Sequence, residues 1–304
     1  MRNILVINYS QTGQLTRITE SILSPLKFDD NLTIETITLK PDKPFPFPWS
    51  FFSFFQLMPE AVYMKPIPLE VPAVKQHQYD LIVLTYQVWF LSPSLPTSSF
   101  LQSEQAKIIF NTAPVMTVIG CRGMWLTAQE KVKFLLEKLN AKLVDNVVLT
   151  DDCGSGFSFL ATPLWMFTGK KKSLTWVPQA GVSEDDIYQA RRFGDAIKKR
   201  LDQDPTPITE PILTGLQAVT INEKLILSEQ IGHRSFKVWG KILMFLGASG
   251  TVSRKIGICF YVSFLFVLIL TVVPLTALFI KLLSPLLHRY ITHQRAYFAQ
   301  PSGE

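Results

Sequence analysis

The 304 residues give room for two ordinary domains, or for one domain with attachments. Apolar residues make up 47% and charged residues 18%, which excludes a disordered chain and is oily for a purely soluble one. Three cysteines, Cys121, Cys153 and Cys259, cannot build a disulfide framework and match no zinc spacing, so no metal site is expected. The net charge of +6 divides unevenly. Residues 1–204 hold 21 Lys and Arg against 20 Asp and Glu, while residues 205–304 hold nine against four. A basic excess beside an apolar run points to a membrane surface rather than to nucleic acid.

Asn3–Tyr9 is a near-continuous apolar run, as in a strand of a buried parallel sheet. Gln14–Leu26 has helical spacing. Leu32–Leu39 alternates and is β-branched, so it reads as a second strand. Pro44–Leu57 packs six Phe and one Trp into fourteen residues. Its readings are a greasy opening for an alkyl chain or a patch on the bilayer, and an insertion packed on the sheet. Tyr79–Tyr86 is a third strand, Ala113–Ile119 a fourth and Asn146–Thr150 a fifth, with a helix over Thr127–Ala141. The acidic stretch Asp151-Asp152-Cys153-Gly154-Ser155-Gly156 reads as a flexible turn, and Lys170–Lys172 as a solvated turn. Ser183–Leu201 opens on an N-cap followed by acids and closes on Lys198-Lys199-Arg200, the pattern of a capped terminal helix. Pro205, Pro207 and Pro211 then mark a linker.

Ile256–Ile280 contains 25 residues without one charge. At about 1.5 Å per residue it is long enough to cross a hydrocarbon core of about 30 Å, and Pro274 would kink it. Five basic residues precede the run (Arg234, Lys237, Lys241, Arg254, Lys255) and three follow it (Lys281, Arg289, Arg295). The positive-inside rule then places the large amino-terminal domain in the cytoplasm and the chain in a single pass across the membrane. The expected organisation is a domain over 1–203, a linker with a basic amphipathic segment over 204–255, a transmembrane helix over 256–283 and a short tail over 284–304. Phe236–Leu246 is either an interfacial helix or a linker helix.

Strands separated by helices or long crossovers predict a five-stranded, doubly wound parallel α/β sheet, whose ligands sit outside the carboxyl ends of the strands. The loop after the first strand, Ser10-Gln11-Thr12-Gly13-Gln14-Leu15-Thr16, joins hydroxyls and a glycine to a helix start. Backbone N–H groups there suit an anion, and Ser10, Thr12 and Thr16 could add hydroxyl donors. The alternative is a plain N-cap turn. It is neither a Walker A loop nor Gly-x-Gly-x-x-Gly. The loop after the third strand holds Gln87, Val88, Trp89 and Phe90, then Pro93 and Pro96. Trp89 is either an exposed stacking wall for a flat ligand or a core residue.

These two loops resemble the flavodoxin-like family, including its flavin-dependent NAD(P)H:quinone oxidoreductase branch. The matching positions are Ser10, Thr12 and Gly13, then Trp89, Pro93 and Pro96. Leu15 departs from the family's usual Thr, and Thr16 follows one later. The resemblance covers about residues 1–203. It implies FMN with its phosphate on Ser10–Thr16 and its ring near Gln87–Phe90, and NAD(P)H as a transient hydride donor. The third loop, at Gly120, Cys121 and Arg122, matches the family's remaining flavin contact by position. Arg122 would face the ring or solvent, and Cys121 reads as a small buried filler. Tyr9–Leu15, Pro46–Trp49, Pro59–Tyr63 and Ile231–Phe236 further resemble bacterial proteins labelled dialkylresorcinol condensing enzymes. That resemblance implies a bacterial inner (cytoplasmic) membrane and an aryl-lipid or polyene setting. A thiolase-type condensation needs an activated acyl-accepting Cys, and His77, His233, His288 and His293 cannot assemble that site. The expected function is a membrane-anchored FMN oxidoreductase acting on an amphiphilic quinone-like or cyclic dione compound, with no general acid or base assigned. The expected partners are the lipid bilayer and that substrate, with a homodimer left open. The alternatives are an electron carrier and a flavin-free tethered module.

Overall fold

The computed structural model describes every residue except 77, 112, 152, 173, 273–274 and 276–283. His77, Asp152, Pro274 and Lys281, each named above, lie outside the described residues.

The long strands are β1 (Arg2–Asn8), β2 (Leu32–Thr38), β5 (Leu81–Trp89), β7 (Val115–Cys121) and β8 (Leu143–Thr150). The remaining strands are two residues long: β3 (Lys40–Pro41), β4 (Leu69–Glu70) and β6 (Ser92–Pro93). The long strands pair in parallel in the order β2-β1-β5-β7-β8. Numbered along the chain, that is 2-1-3-4-5, the doubly wound order of a flavodoxin-like sheet. Both faces of the sheet are covered, which is why its strands read as continuous apolar runs. Ile4 and Val6 of β1 point into one core, while Leu5 and Ile7 point into the other.

The first core lies under α1 (Gln14–Leu23), α8 (Glu184–Gln189) and α9 (Arg191–Gln203). The expected single helix over 183–201 bends at Ala190 into α8 and α9, and Ser183 caps α8 by accepting from Asp186 N at 3.0 Å. Helix α9 crosses α1 closely enough that a Cβ on Gly194 would lie 1.8 Å from the Ile22 carbonyl oxygen. Backbone cannot yield there, so Gly194→Ala must push the helices apart. It is expected to cost about 1–3 kcal/mol, read as a lower midpoint in urea unfolding. An unchanged midpoint would mean the crossing is not tight.

The second core lies under α4 (Leu95–Phe100), α5 (Glu104–Phe110) and α6 (Leu126–Lys138). It also takes Ala61 of α3 (Met58–Val62) and Ile226 of α10 (Glu223–Phe245). The chain beyond residue 203 joins these cores. Ile208, Leu213 and Ala218 are buried in the first, and Ala218 O accepts from Val148 N of edge strand β8 at 2.8 Å. Helix α10, which contains the 236–246 segment, packs along α3.

Two titratable groups, Lys131 and His233, crowd the inner face of α10. Lys131 Nζ donates to Ser92 Oγ (2.7 Å) and Val62 O (2.8 Å), and burial together with Lys237 lowers its pKa to about 8. His233 has a buried, unpartnered Nδ1, and burial, then Lys131 and Lys237, lowers its pKa to about 4. The unfolded chain therefore protonates at His233 before the folded one does. The stability this group confers is present above about pH 6.5 and is lost as pH falls towards about 4. In thermal melts, the wild type should lose stability relative to His233→Gln across that window, and parallel profiles would refute the assignment.

The carboxyl-terminal third continues through α11 (Val252–Val267), a π-helical turn (Leu268–Val272) and α12 (Ser284–Ala299). Val252–Thr271 is long and apolar enough to cross a membrane, with a mean hydropathy of 1.8. The first three turns of α11 are not free of the body. Ile258, Tyr261 and Val262 are buried against Met58, Val62 and Leu243.

Candidate functional site

In this strand order, the reversal falls between β1 and β5. A cleft opens there at the carboxyl ends of the strands. A cavity of about 170 Å³ sits at this point. Its floor is built from three loops: Gln11–Thr12 with Gln14–Leu15 after β1, Gln87–Phe90 at the end of β5, and Gly120–Arg122 at the end of β7.

Gly13 turns the chain from β1 into α1 at φ +79°, a left-handed conformation that suits glycine. No side chain caps α1, so the amides of its first turn are left to another acceptor. Ser10 Oγ is buried without a partner in the same turn, and Gln87 Nε2 is buried without a partner in the cavity wall. Both atoms are places where a polar ligand or a water would bond. Thr16, expected to add a hydroxyl donor, lies elsewhere. Its Oγ1 accepts from Asn8 Nδ2 at 3.0 Å, and it lines a separate groove with Val6, Thr19 and Leu23.

Trp89 corrects one expectation. It is only 8% exposed and packs edge-on against Tyr9, Phe45 and Trp49, with centroids 5.0–5.9 Å away. It borders the cavity from within an aromatic cluster rather than as an exposed wall. The hairpin that carries it is strained. Strand β6 folds back on β5 through Phe90 (φ +49°) and Leu91 (φ +57°), two bulky residues in a left-handed turn that normally takes Asn-Gly. Each costs on the order of 1–2 kcal/mol there, and the turn holds the Phe90 ring at the cavity rim.

The outer wall comes from segments whose role the sequence left open. Phe47, Trp49 and Phe54 of the aromatic stretch face the cavity, while Phe51 and Phe52 are 40% and 38% exposed. The stretch is therefore part cavity wall and part exposed surface. The stretch is stitched to the first loop. Gln11 Nε2 donates to Pro46 O (2.8 Å), and Trp49 Nε1 donates to Gln11 Oε1 (3.3 Å). Facing it are Thr162, Trp165 and Met166 of α7 (Gly154–Thr168), a helix where a flexible turn was expected after residue 151. Gly154, Gly156 and the internal Pro163 read as breakers in sequence, whereas Gly169, at φ +75°, is the C-cap signal that could have revealed the helix.

Arg122 and Asp151 are the charged residues lining the cavity. Burial lowers the Arg122 pKa, and the Asp151 carboxylate opposes that shift. Burial pushes the Cys121 thiol up to about 12, so it stays protonated at neutral pH and is no nucleophile. Lys171 lies 5.7 Å above the Trp165 ring and 3.8 Å from Glu184, so it braces the outer wall.

No protein-family model and no curated protein matches this sequence. Among solved structures, a flavoprotein from Lactobacillus acidophilus NCFM, crystallised in complex with FMN, is similar at 16% identity and a TM-score of 0.40. The match covers 49% of this chain and 93% of that one. A flavodoxin from the domain Archaea is similar at 10% identity and a TM-score of 0.35, covering 67% of this chain and all of that one. Among the described residues, no cluster of His, Cys, Asp and Glu could hold a metal ion.

Proposed function

We propose that the protein is an FMN-dependent oxidoreductase, attached to a lipid bilayer through its apolar carboxyl-terminal segment, that acts on an amphiphilic quinone-like or cyclic dione compound. The observation that carries this reading is the coincidence at the switch point of an uncapped α1, an orphaned Gln87 amide and an aromatic-walled cavity. The first-turn amides of Gln14, Leu15 and Thr16, with Thr12, would hold the phosphate. Gln87 Nε2 would donate to a carbonyl on the ring, and Arg122 would favour negative charge on it. FMN, when bound, supplies hydride chemistry. The chain orients the ring, excludes water and positions the charge of Arg122.

At about 170 Å³ the cavity is narrower than the roughly 300 Å³ at which ligand pockets begin. Phe47, Trp49 and Phe54, whose segment forms the cover, would have to move aside to make room for three rings. Support for an amphiphilic substrate comes from the rings behind that cover. Trp49, Phe54, Phe55, Tyr261, Trp239 and Phe264 follow one another at centroid spacings of 5.1–6.1 Å, from the cavity to α11. Such a run links the cavity wall to the apolar α11 through packed rings, with Tyr261 fully buried among them.

The test is an absorbance spectrum of the full chain purified in detergent. Bands near those of free FMN are expected. Oxidation of NAD(P)H with a quinone or cyclic dione would then separate an enzyme from an electron carrier. Folded protein that is colourless and takes up no added FMN would overturn the redox reading and leave a tethered interaction module.

A further inference from the structure

We infer that the carboxyl-terminal tail stays on the same side of the membrane as the α/β body, so that the apolar segment enters and leaves the bilayer through one face. This rests on the proposed attachment to a bilayer and departs from the single pass that the sequence suggests.

The tail is built into the body. Ile291, Phe298 and Ala299 are buried in the second core. Ser302 is fully buried, accepting from Asn146 N (2.6 Å) and donating to Asp145 Oδ1 (2.9 Å) at the start of β8. Glu304 Oε1 accepts from Ile221 N at 3.2 Å. Asp145 is a buried carboxylate whose partners are the amides of Ile212 and Leu213 and this one hydroxyl. Carrying the tail to the far side of a membrane would strip away that hydroxyl and expose the core under α12.

The other end of the apolar segment is fixed as well. Arg254, at the start of α11, is buried against Glu60 of α3, and Trp239 packs at a tilt against Phe264, centroids 5.3 Å apart. At the return, Leu287 packs on the second core. Only the 22 residues 265–286 are left between these two anchors. Out and back, that allows about ten residues each way, or about 15 Å as helix, roughly half of a hydrocarbon core of about 30 Å. The face that would meet lipid is continuous with this segment. Val252, Ile256, Phe260 and Phe264 form an exposed stripe at four-residue spacing on α11, and Phe245 of α10 is 91% exposed beside it. The basic residues Arg289 and Arg295, counted above as a far-side flank, then lie on the body's own side. Arg295 there pairs with Glu223 (3.0 Å) and with Glu304 (2.5 Å).

The test places single reporter cysteines on the full chain in a bacterial host, at Gln203→Cys on the body and Ala296→Cys on α12, both exposed positions. A membrane-impermeant maleimide is applied to intact spheroplasts and to inverted vesicles, and the labelled peptide is identified by mass so that native cysteines do not interfere. Both positions should be protected in spheroplasts and should label together in inverted vesicles. Labelling of Ala296→Cys in spheroplasts, with Gln203→Cys protected, would overturn the inference and leave attachment standing. Recovery of the chain in the soluble fraction without detergent would overturn attachment and the inference together. Neither readout depends on flavin.

Discussion

Gln87→Leu should weaken FMN binding while leaving the cofactor-free protein as stable as the wild type or more so. The Gln87 backbone is already occupied, since its carbonyl accepts from Ser94 N at 2.9 Å and the residue pairs with Gly120 in the sheet. Its side-chain Nε2 is buried and bonds to nothing. A buried donor without a partner costs about 1–3 kcal/mol, and leucine removes it at similar volume. With FMN bound, the proposed role reverses the effect. The wild-type amide would satisfy a ring carbonyl that leucine strands, at a cost of about 1–3 kcal/mol, or roughly 5- to 150-fold in dissociation constant. Quenching of flavin fluorescence reads the affinity, and urea unfolding of the cofactor-free form reads the stability. A packing defect would lower both quantities, whereas a ligand-directed amide moves them in opposite directions. An unchanged affinity would remove Gln87 from the site.

The same contrast between local and distant partners explains which features were legible in the sequence. The strands were, because a sheet covered on both faces demands apolar residues at every position, and Asn3–Tyr9 has them. The Ser183 cap was legible because its partner, Asp186 N, is three residues away. The three loops that meet at the cavity could be named because strand order puts the carboxyl ends together whatever the side chains are. What failed were features decided by remote contacts or by broken local rules. Trp89 looked exposed at a strand end, and Phe45 and Trp49 cover it from forty or more positions away. Phe90 and Leu91 give no turn signal, since the left-handed pair there is enforced by the β5–β6 pairing rather than by Asn or Gly. The docking of the short tail was invisible in sequence because Ser302 acquires its meaning only from Asp145, 157 residues earlier. Sites and anchors of this kind are where local rules yield to packing.

The strongest single link between the apolar segment and the body is Arg254, and Arg254→Met should cost about 3–5 kcal/mol. The guanidinium side chain is 2% exposed and forks onto Glu60, with Nη1 at 2.9 Å from Oε1 and Nη2 at 2.5 Å from Oε2, while Nη2 also reaches Gln56 O. Three acceptors on α2 (Phe51–Gln56) and α3 thus converge on one side chain of α11. Methionine fills the volume but leaves the Glu60 carboxylate without its cation. Glu60 keeps 23% of its side-chain surface exposed, so water relieves part of the charge and the effect should fall at the lower end of that range. Lysine would keep a charge but not the fork, so Arg254→Lys should lie between wild type and Arg254→Met. Glu60→Gln tests the pairing further. If the ion pair carries the effect, Arg254→Met should cost much less in a Glu60→Gln background, a coupling that a double-mutant cycle in detergent reads directly. Additive costs would mean Arg254 acts through packing alone. Because α2 also supplies Phe54 to the cavity wall and Phe55 to Tyr261, loosening this joint should disturb the cover of the candidate site as well as the docking of α11. The prediction therefore includes faster proteolysis at the exposed 248–253 connection and weaker FMN retention in the same variant.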